Sequence, residues 1–325
     1  MTGATVDSAR PLVSIISAVF NEEQNIRDFH AALSETVEGC DFDCEIILVD
    51  DGSTDASAHI LRSVAVKDAR VRVLRLAENS GSLTAYNCGL AAAGGDAAVL
   101  ISADLQDPPS LILEFVSQWK KGSEVVWAVR ENRDDPFAKS LLARSFYTLL
   151  RLTTFPDYPR DGTDTCLFSR AVIDSYRALT GTHRNPIFEV YAARHADTRV
   201  PYHRRARTKG KSGWPLMKRL VVASEIIAMH ANYPRLAFAI TSALSAFFGL
   251  LIVVVRSVQA EVINTLDLIF LASAVTVSWL PIIAFLAISY LRVIRRRNKA
   301  EPEYVIVEEI SAAVVRENLS AATRK

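Results

Sequence analysis

Short β-branched apolar runs alternate with helical patterns from Leu12 to Val129, and that alternation limits the fold more than any other feature of the chain. Leu12–Phe20, Glu45–Val49, Val71–Leu76, Ala97–Ser102 and Glu124–Val129 read as strands buried on both faces. Between them, Ile26, Phe29, Leu33 and Val37 recur at helical spacing. Ser53 or Thr54 stands where a second helix, carrying Ile60, Leu61 and Val64, needs a cap. Leu83–Ala93 reads as a third helix, and Pro108–Pro109 opens a fourth that stops near Gly122. Such a succession winds into a mostly parallel sheet with helices on both faces. The prediction is an α/β, doubly wound domain.

Beyond Leu236 the character of the chain changes. Ala237–Val255 and Leu268–Leu291 hold no charged residue, and each is long enough to cross a bilayer as a helix. Their connector, Arg256–Asp267, is short, which predicts a two-helix transmembrane hairpin. Arg292, Arg295, Arg296, Arg297 and Lys299 follow the second stretch, whereas the connector holds only Arg256. The positive-inside rule then puts both chain ends in the cytoplasm and the hairpin in the inner membrane. The segment Met1–Arg10 lacks the apolar core of a signal peptide, consistent with a cytoplasmic leading domain. Trp214–Tyr233 sets Leu216, Leu220, Ile227 and Met229 against Lys218 and Arg219, a pattern suited to lying in the membrane interface. The expected divisions are an α/β domain over 1–213, an interfacial segment over 214–235, two spans over 236–292 and a cytoplasmic tail over 293–325. Tyr304–Val307 in that tail alternates as a strand and is expected to pair with a sheet edge; an edge on another subunit would make a homo-oligomer.

The formal net charge of +1 conceals a local contrast: from Arg184 to Arg219 ten Lys and Arg residues meet only two acids. Beside a membrane segment, such a patch suits anionic headgroups or a phosphorylated lipid. No nucleic-acid-binding motif accompanies it, so nucleic acid is not an expected partner. Cys40, Cys44, Cys88 and Cys166 form no CxxC pair and have no histidine at zinc spacing, which predicts free thiols in a reducing compartment. His183, His195 and His203 lie at no metal spacing and read as surface or packing residues. Tyr86 and Trp127 read as core.

The acids carry the chemistry. Asp50 and Asp51 end the second strand in VDDGSTD, and Asp104 and Asp107 follow the fourth in SADLQDPP. Ligands of open α/β sheets bind at the carboxyl ends of strands, so these acids should face one crevice. There they repel one another unless a cation or ligand donors compensate. Asp104 and Gln106 can present two oxygens to Mg²⁺ or Mn²⁺, ions that keep waters and take further ligands from substrate phosphates. Turn chemistry alone accounts for one acidic loop of this composition, and Asp107-Pro108-Pro109 also suits a helix start.

Phe20-Asn21-Glu22-Glu23 after the first strand adds a third piece. The strings SAVFNEEQNI, ILVDDGSTD, AENSGSLTAYNCGL, ISADLQDPP, VVWAVRENR, DGTDTCLFSR and RRARTKGKSGW, followed by the apolar stretches, resemble family-2 glycosyltransferases of the GT-A fold. The resemblance narrows to the polyprenyl-phosphate branch, which includes dolichyl-phosphate mannose synthases and bacterial undecaprenyl-phosphate sugar transferases. It implies a nucleotide-sugar donor and a polyprenyl phosphate acceptor. By the same resemblance Phe20, Glu22, Asp51 and Gly81 belong to the pocket for base and ribose, with Asp50 supporting that loop or touching the base. Asp104 and Gln106 match the metal pair, Arg130 and Arg133 match arginines near donor or acceptor phosphate, and Arg204, Arg207, Lys211 and Ser212 match the basic patch for the lipid phosphate. Asp164 is either a base or sugar-hydroxyl acceptor, or the orienter of a neighbouring arginine. The catalytic set is thus Asp104, Asp164 and Arg130.

Three positions depart from the family pattern. Ser102 stands where an acid often precedes the metal aspartate, Thr163-Asp164-Thr165-Cys166 where many relatives have GDFR, and Ser82 where a basic residue or Gln often follows the motif glycine. Ser102 is the best support for a rival reading, a non-catalytic membrane scaffold that binds nucleotide-sugar; retention of Asp104, Gln106 and the basic patch opposes it. A transferase acting on a glycan acceptor is the other alternative. A processive polysaccharide synthase would carry QxxRW and more spans, and an NAD-dependent oxidoreductase would need GxGxxG after a strand, which Gly94-Gly95 does not supply.

Overall fold

Register explains how residues far apart in sequence reach one edge of the molecule. The computed structural model describes residues 10–133, 147–160 apart from 149 and 153, 162–179, 184–205, scattered positions between 243 and 294, and 303–311. Strands β1 (Leu12–Val19), β2 (Asp43–Asp50), β3 (Val71–Leu76), β4 (Ala97–Leu100), β5 (Val125–Arg133), β6 (Cys166–Ser169), β7 (Asp197–Arg204) and β8 (Ile306–Ser311) join one sheet, in the order β7-β5-β6-β4-β1-β2-β3-β8. β1 lies parallel to β2 and β4, β2 to β3, and β5 to β7, while β6 and β8 run antiparallel to their neighbours. Val19 pairs with Asp50 and Ile16 with Leu100, so the loops after β1, β2 and β4 leave the sheet together. Because β6 is reversed, its first residue, Cys166, pairs with Leu100 and Trp127, and the chain entering it arrives at that same edge.

Helices α1 (Ile26–Val37), α2 (Ser57–Lys67) and α4 (Leu111–Lys120) cover one face; α3 (Ser82–Ala92), α5 (Arg170–Ala178) and α6 (Pro186–Ala192) cover the other. The predicted stripe Ile26, Phe29, Leu33 and Val37 is the buried side of α1. Phe29 and Phe115 both belong to that core, at 1% and 0% exposure, each burial worth roughly 1.5–3 kcal/mol by transfer alone. On the other face α3 presses hard against β1: a Cβ at Gly89 would stand 2.2 Å from Ile16 Cγ2. Ser169 caps α5, and Asn185 caps α6 through the N–H groups of Ile187 and Phe188, with Pro186 in the first turn. Trp127 is core, as expected, packed edge-on against Phe168. All four thiols are free, and burial pushes that of Cys88 up to about 12.

Several expectations change. Neither Ser53 nor Thr54 caps α2, which starts at Ser57 and takes an N–H bond from Ser57 to Asp55 Oδ1 (2.9 Å); both residues are drawn instead to Asn21 on the first loop. Arg184 does not join a basic surface. It is buried, its guanidinium 4.3 Å from the Tyr176 ring centroid, donating to the carbonyls of Tyr176 and Leu179 at the end of α5. The tail strand, predicted at Tyr304–Val307, is β8 at Ile306–Ser311, and the edge it joins is β3 of its own chain. Arg62 grips Glu308 through two nitrogens, Arg72 donates to Glu309, and Glu303 accepts from Asn87 of α3, which fixes the register.

Two compact units emerge, residues 1–144 with 159–213 and 299–325, and residues 145–158 with 214–298. The tail therefore belongs with the sheet. In the second unit the rings of Tyr147 and Tyr158 stack at 5.9 Å. Among the described residues no helix is long and apolar enough to cross a membrane. Most of 214–298, including the predicted interfacial segment and hairpin, lies outside the described residues; the described positions there are helical and leave Phe247, Leu250, Val254, Ile288 and Leu291 exposed.

Candidate active site

Three loops knit together at the carboxyl ends of β1, β2 and β3. Asn21, at φ 53, donates its N–H to Ser53 Oγ (3.0 Å), and its side chain accepts the N–H of Thr54 (2.9 Å). Gly52 is required where it stands: its φ is +68, and a Cβ would meet the Glu78 carbonyl carbon at 2.6 Å. That close approach lets Asp51, almost fully buried, clamp the next loop. Its two oxygens accept the N–H groups of Ser80 (2.8 Å) and Gly81 (2.9 Å), the latter at φ 97 directly before α3. Asp50 lies wholly inside. It accepts the Ser53 N–H (3.0 Å) and faces Arg75 at 3.3 Å. Glu22 turns its carboxylate to Asn25 (2.5 Å) at the start of α1, and Phe20 stands at the rim, 36% exposed.

A second cluster gathers where β4, β5, β6 and β7 end or begin. Asp104 Oδ1 accepts the Gln106 N–H (3.2 Å) across Leu105, which holds the unusual φ of 58. Gln106 is tied to the end of β7 twice, its carbonyl accepting the Arg205 N–H (3.0 Å) and its side-chain nitrogen donating to the Arg205 carbonyl (3.2 Å). Asp107, read from the sequence either as a crevice acid or as part of a helix start, is a buried hub at 0% exposure. It accepts hydroxyl protons from Tyr202 (2.5 Å) and Thr165 (2.7 Å) and faces Arg204 Nε at 3.4 Å. Arg130, buried at 4%, donates Nε–H to the Tyr202 hydroxyl (3.2 Å) and pairs with Asp164. Burial first, then the Asp107 charge, raises the Tyr202 pKa far above the ordinary phenol value, so it stays protonated. Tyr86 is buried, as expected of core, yet its hydroxyl also senses the acids: after burial, Asp107, Asp164 and Asp104 raise its pKa.

The candidate residues thus come together along one edge. Phe20, Glu22, Asp50, Asp51 and Gly81 frame one part; Asp104, Gln106, Arg130 and Asp164 frame the other. Arg204 sits there too, but it turns to Asp107. Arg133 ends β5 opposite Arg204 in register. Arg207, Lys211 and Ser212 lie outside the described residues. Tyr202 and the burial of Asp107 escaped the sequence reading, although the alternation of buried Val200 and Tyr202 along β7 carried the signal.

The sequence pattern described as "Glycosyl transferase family 2" matches residues 14–177. The chain belongs to glycosyltransferase family 2. An uncharacterized glycosyltransferase, YkcC of Bacillus subtilis, is 38% identical over 224 residues, 68% of this chain and 69% of that one. The bactoprenol glucosyl transferase of Shigella phage SfV is 34% identical over 168 residues, and there the match spans 51% of this chain and 55% of the relative. Among solved structures, glucosyl-3-phosphoglycerate synthase from Mycobacterium tuberculosis, in complex with Mn²⁺, UDP-glucose and phosphoglyceric acid, superposes with a TM-score of 0.50 at 19% identity, covering 70% of this chain and 80% of that one. That likeness supports the GT-A-type sheet. The protein is accordingly a glycosyltransferase.

How well does this glycosyltransferase suit a divalent cation? Among the described residues no three His, Cys, Asp or Glu side chains converge. The oxygens of Asp104 and Gln106 fit an ion that draws its other ligands from phosphate and water. The Gln106 side-chain nitrogen is committed to the Arg205 carbonyl, which leaves the amide oxygen as the atom a cation would meet.

Proposed function

We propose that this glycosyltransferase moves a sugar from a nucleotide-sugar to a polyprenyl phosphate, undecaprenyl phosphate in the bacterial case, at the cytoplasmic face of the inner membrane. One observation carries the reading: the Asp51–Gly81 clamp, the Asp104–Gln106 pair and the buried Arg130 held by Asp164 share one sheet edge. That edge can hold a nucleotide, a cation and the phosphates of two substrates. A phosphate monoester with a second pKa of about 6 is largely dianionic at neutral pH and is already a nucleophile. Its oxygen bonds to the anomeric carbon as the bond to the leaving diphosphate breaks, and the electron pair departs on that diphosphate. A single displacement inverts the anomeric configuration.

The protein's work is to hold two anions in line. The loop clamped by Asp51 frames the nucleotide, with Phe20 offering a ring to the base. Arg130 supplies buried positive charge, and a planar guanidinium can meet two phosphate oxygens at once. Asp164 orients that arginine, since a carboxylate hydrogen-bonded to a guanidinium is a poor base. Mg²⁺ or Mn²⁺ held by Asp104 and Gln106 supplies neutralisation of the charge growing on the leaving group; the Mn²⁺ named with the mycobacterial synthase supports this. The lipid acceptor rests on the bactoprenol glucosyl transferase relatives and on the basic run that follows β7, with Arg133, Arg207, Lys211 and Ser212 as its phosphate contacts.

Membrane attachment has support of its own. The described residues between 243 and 294 expose apolar side chains, and the sequence there is free of charge over two long stretches. Because β8 rejoins the sheet that precedes those stretches, any crossings between must be even in number, as a hairpin requires. The test is a panel of nucleotide-sugars incubated with membranes containing the protein and undecaprenyl phosphate. A labelled, acid-labile lipid product is expected from one donor. Transfer to a soluble glycan with no lipid product would overturn the acceptor assignment.

A further inference from the structure

The hydroxyl of Tyr202 stands between two buried, oppositely charged groups. It donates to Asp107 Oδ1 at 2.5 Å and accepts from Arg130 Nε at 3.2 Å, and the ring is 6% exposed. Arg130 and Asp107 therefore communicate through a neutral oxygen rather than collapsing into a direct ion pair. Asp107 closes the loop that carries Asp104 and Gln106, and Gln106 is bonded twice to Arg205, three residues beyond Tyr202. Arg130 and Tyr202 also face each other in the β5–β7 register. A single phenolic oxygen thus links the loop proposed to hold the cation with the arginine proposed to meet phosphate.

We propose that Tyr202 is a positioning residue for transfer: its hydroxyl fixes the Arg130 guanidinium relative to the Asp104–Gln106 loop. This rests on the transferase reading of the site above. Thr165 supplies the control the structure provides. Its hydroxyl donates to the other oxygen of the same carboxylate at 2.7 Å, and among the described residues its hydrogen bond goes to Asp107 rather than to Arg130. Losing either hydroxyl takes one hydrogen bond from Asp107, whose Oδ1 still faces Arg204; only losing that of Tyr202 also takes one from Arg130, which then keeps its pairing with Asp164.

The experiment compares Tyr202→Phe, Thr165→Val and Arg130→Ala in the full-length protein, with undecaprenyl phosphate and the donor selected by the nucleotide-sugar panel, beside urea unfolding of each. Tyr202→Phe keeps the ring and removes one oxygen. It is expected to lower kcat by about ten- to a hundredfold, the range that loss of a hydrogen bond to a charged group spans, with the donor KM little changed. Thr165→Val is expected to lose comparable stability while keeping kcat near wild type. If Tyr202→Phe and Thr165→Val reduce stability alike and leave kcat alike, Tyr202 only satisfies a buried carboxylate and the proposal is overturned, while an impaired Arg130→Ala leaves the transferase site standing. If Arg130→Ala is as active as wild type, Arg130 is no part of the site and both readings fall.

Discussion

Replacing Asp51 by Asn tests the donor side of the site most directly. The carboxylate spans the N–H groups of Ser80 and Gly81 at 2.8 and 2.9 Å, and the side chain is almost wholly excluded from water. Asn retains one acceptor oxygen but turns an NH₂ group towards the second N–H. The variant loses one charge-assisted bond, worth about 1.5–3 kcal/mol, and leaves a half-buried donor facing an NH₂ group, at a cost towards the lower end of about 1–3 kcal/mol. These losses overlap, so a net destabilisation of about 2–4 kcal/mol is expected. Against a total of roughly 5–15 kcal/mol the protein still folds, but its urea midpoint should drop by about 1 M or more. Release of Gly81 also frees the loop before α3, so titration calorimetry should show weakened UDP binding if UDP is the nucleotide carried by the donor. An unchanged midpoint would refute the reasoning, because a clamp that stores this much interaction cannot be silently removed.

Other consequences are open to measurement. Asp104→Asn should abolish most transfer with little effect on the unfolding midpoint, and chelator should do the same to the wild type; full activity in either case removes the cation assignment. Arg207→Ala should raise the KM for polyprenyl phosphate while leaving donor KM and membrane association intact, and Arg207→Lys should rescue poorly, since a point charge cannot reproduce a bidentate contact. A cysteine placed at Ser257 should react with an impermeant reagent only from the non-cytoplasmic side of sealed vesicles; cytoplasmic labelling contradicts the hairpin. Hydrogen bonds from Arg70, then His30, hold the Asp68 carboxyl well below the usual carboxylate range. A lowered acid stabilises the fold above its unfolded-state pKa of about 3.9, and that benefit fades as pH falls through the folded value. Asp68→Asn should therefore cost about 1 kcal/mol at pH 7, and the gap to wild type should narrow in urea titrations at about pH 3.

The sheet was legible because its parallel strands β1 to β4 are largely buried on both faces and so spell nearly continuous apolar runs. The stripe of α1 was legible because Ile26, Phe29, Leu33 and Val37 follow the helical period. The acids of the loops could be assigned to one edge because parallel strands bring their carboxyl ends together. What failed to show depends on partners distant in sequence. Asp107 in its Pro-rich string has the composition of a helix start, and only Tyr202 and Thr165, supplied by β7 and the entry to β6, make it a hub. Arg184 looked like one more surface cation because nothing local reveals that the end of α5 needs its guanidinium. Ser53 and Thr54 have capping chemistry, and Asn21 outbid the helix for it.

The strand that completes the sheet is synthesised long after the edge it joins. Arg72 of β3 pairs with Ser311 of β8, so at about 5–20 residues per second the ribosome needs on the order of ten to fifty seconds to deliver the partner. During that interval the nascent domain carries a bare β3 edge, with Arg62, Arg72 and Arg75 waiting for Glu308 and Glu309. Those three guanidiniums serve as gatekeepers in the meantime, since positive charge along an open edge discourages pairing with other nascent chains. Completion of the sheet thus reports that everything between β3 and β8, the long apolar stretches included, has already left the ribosome.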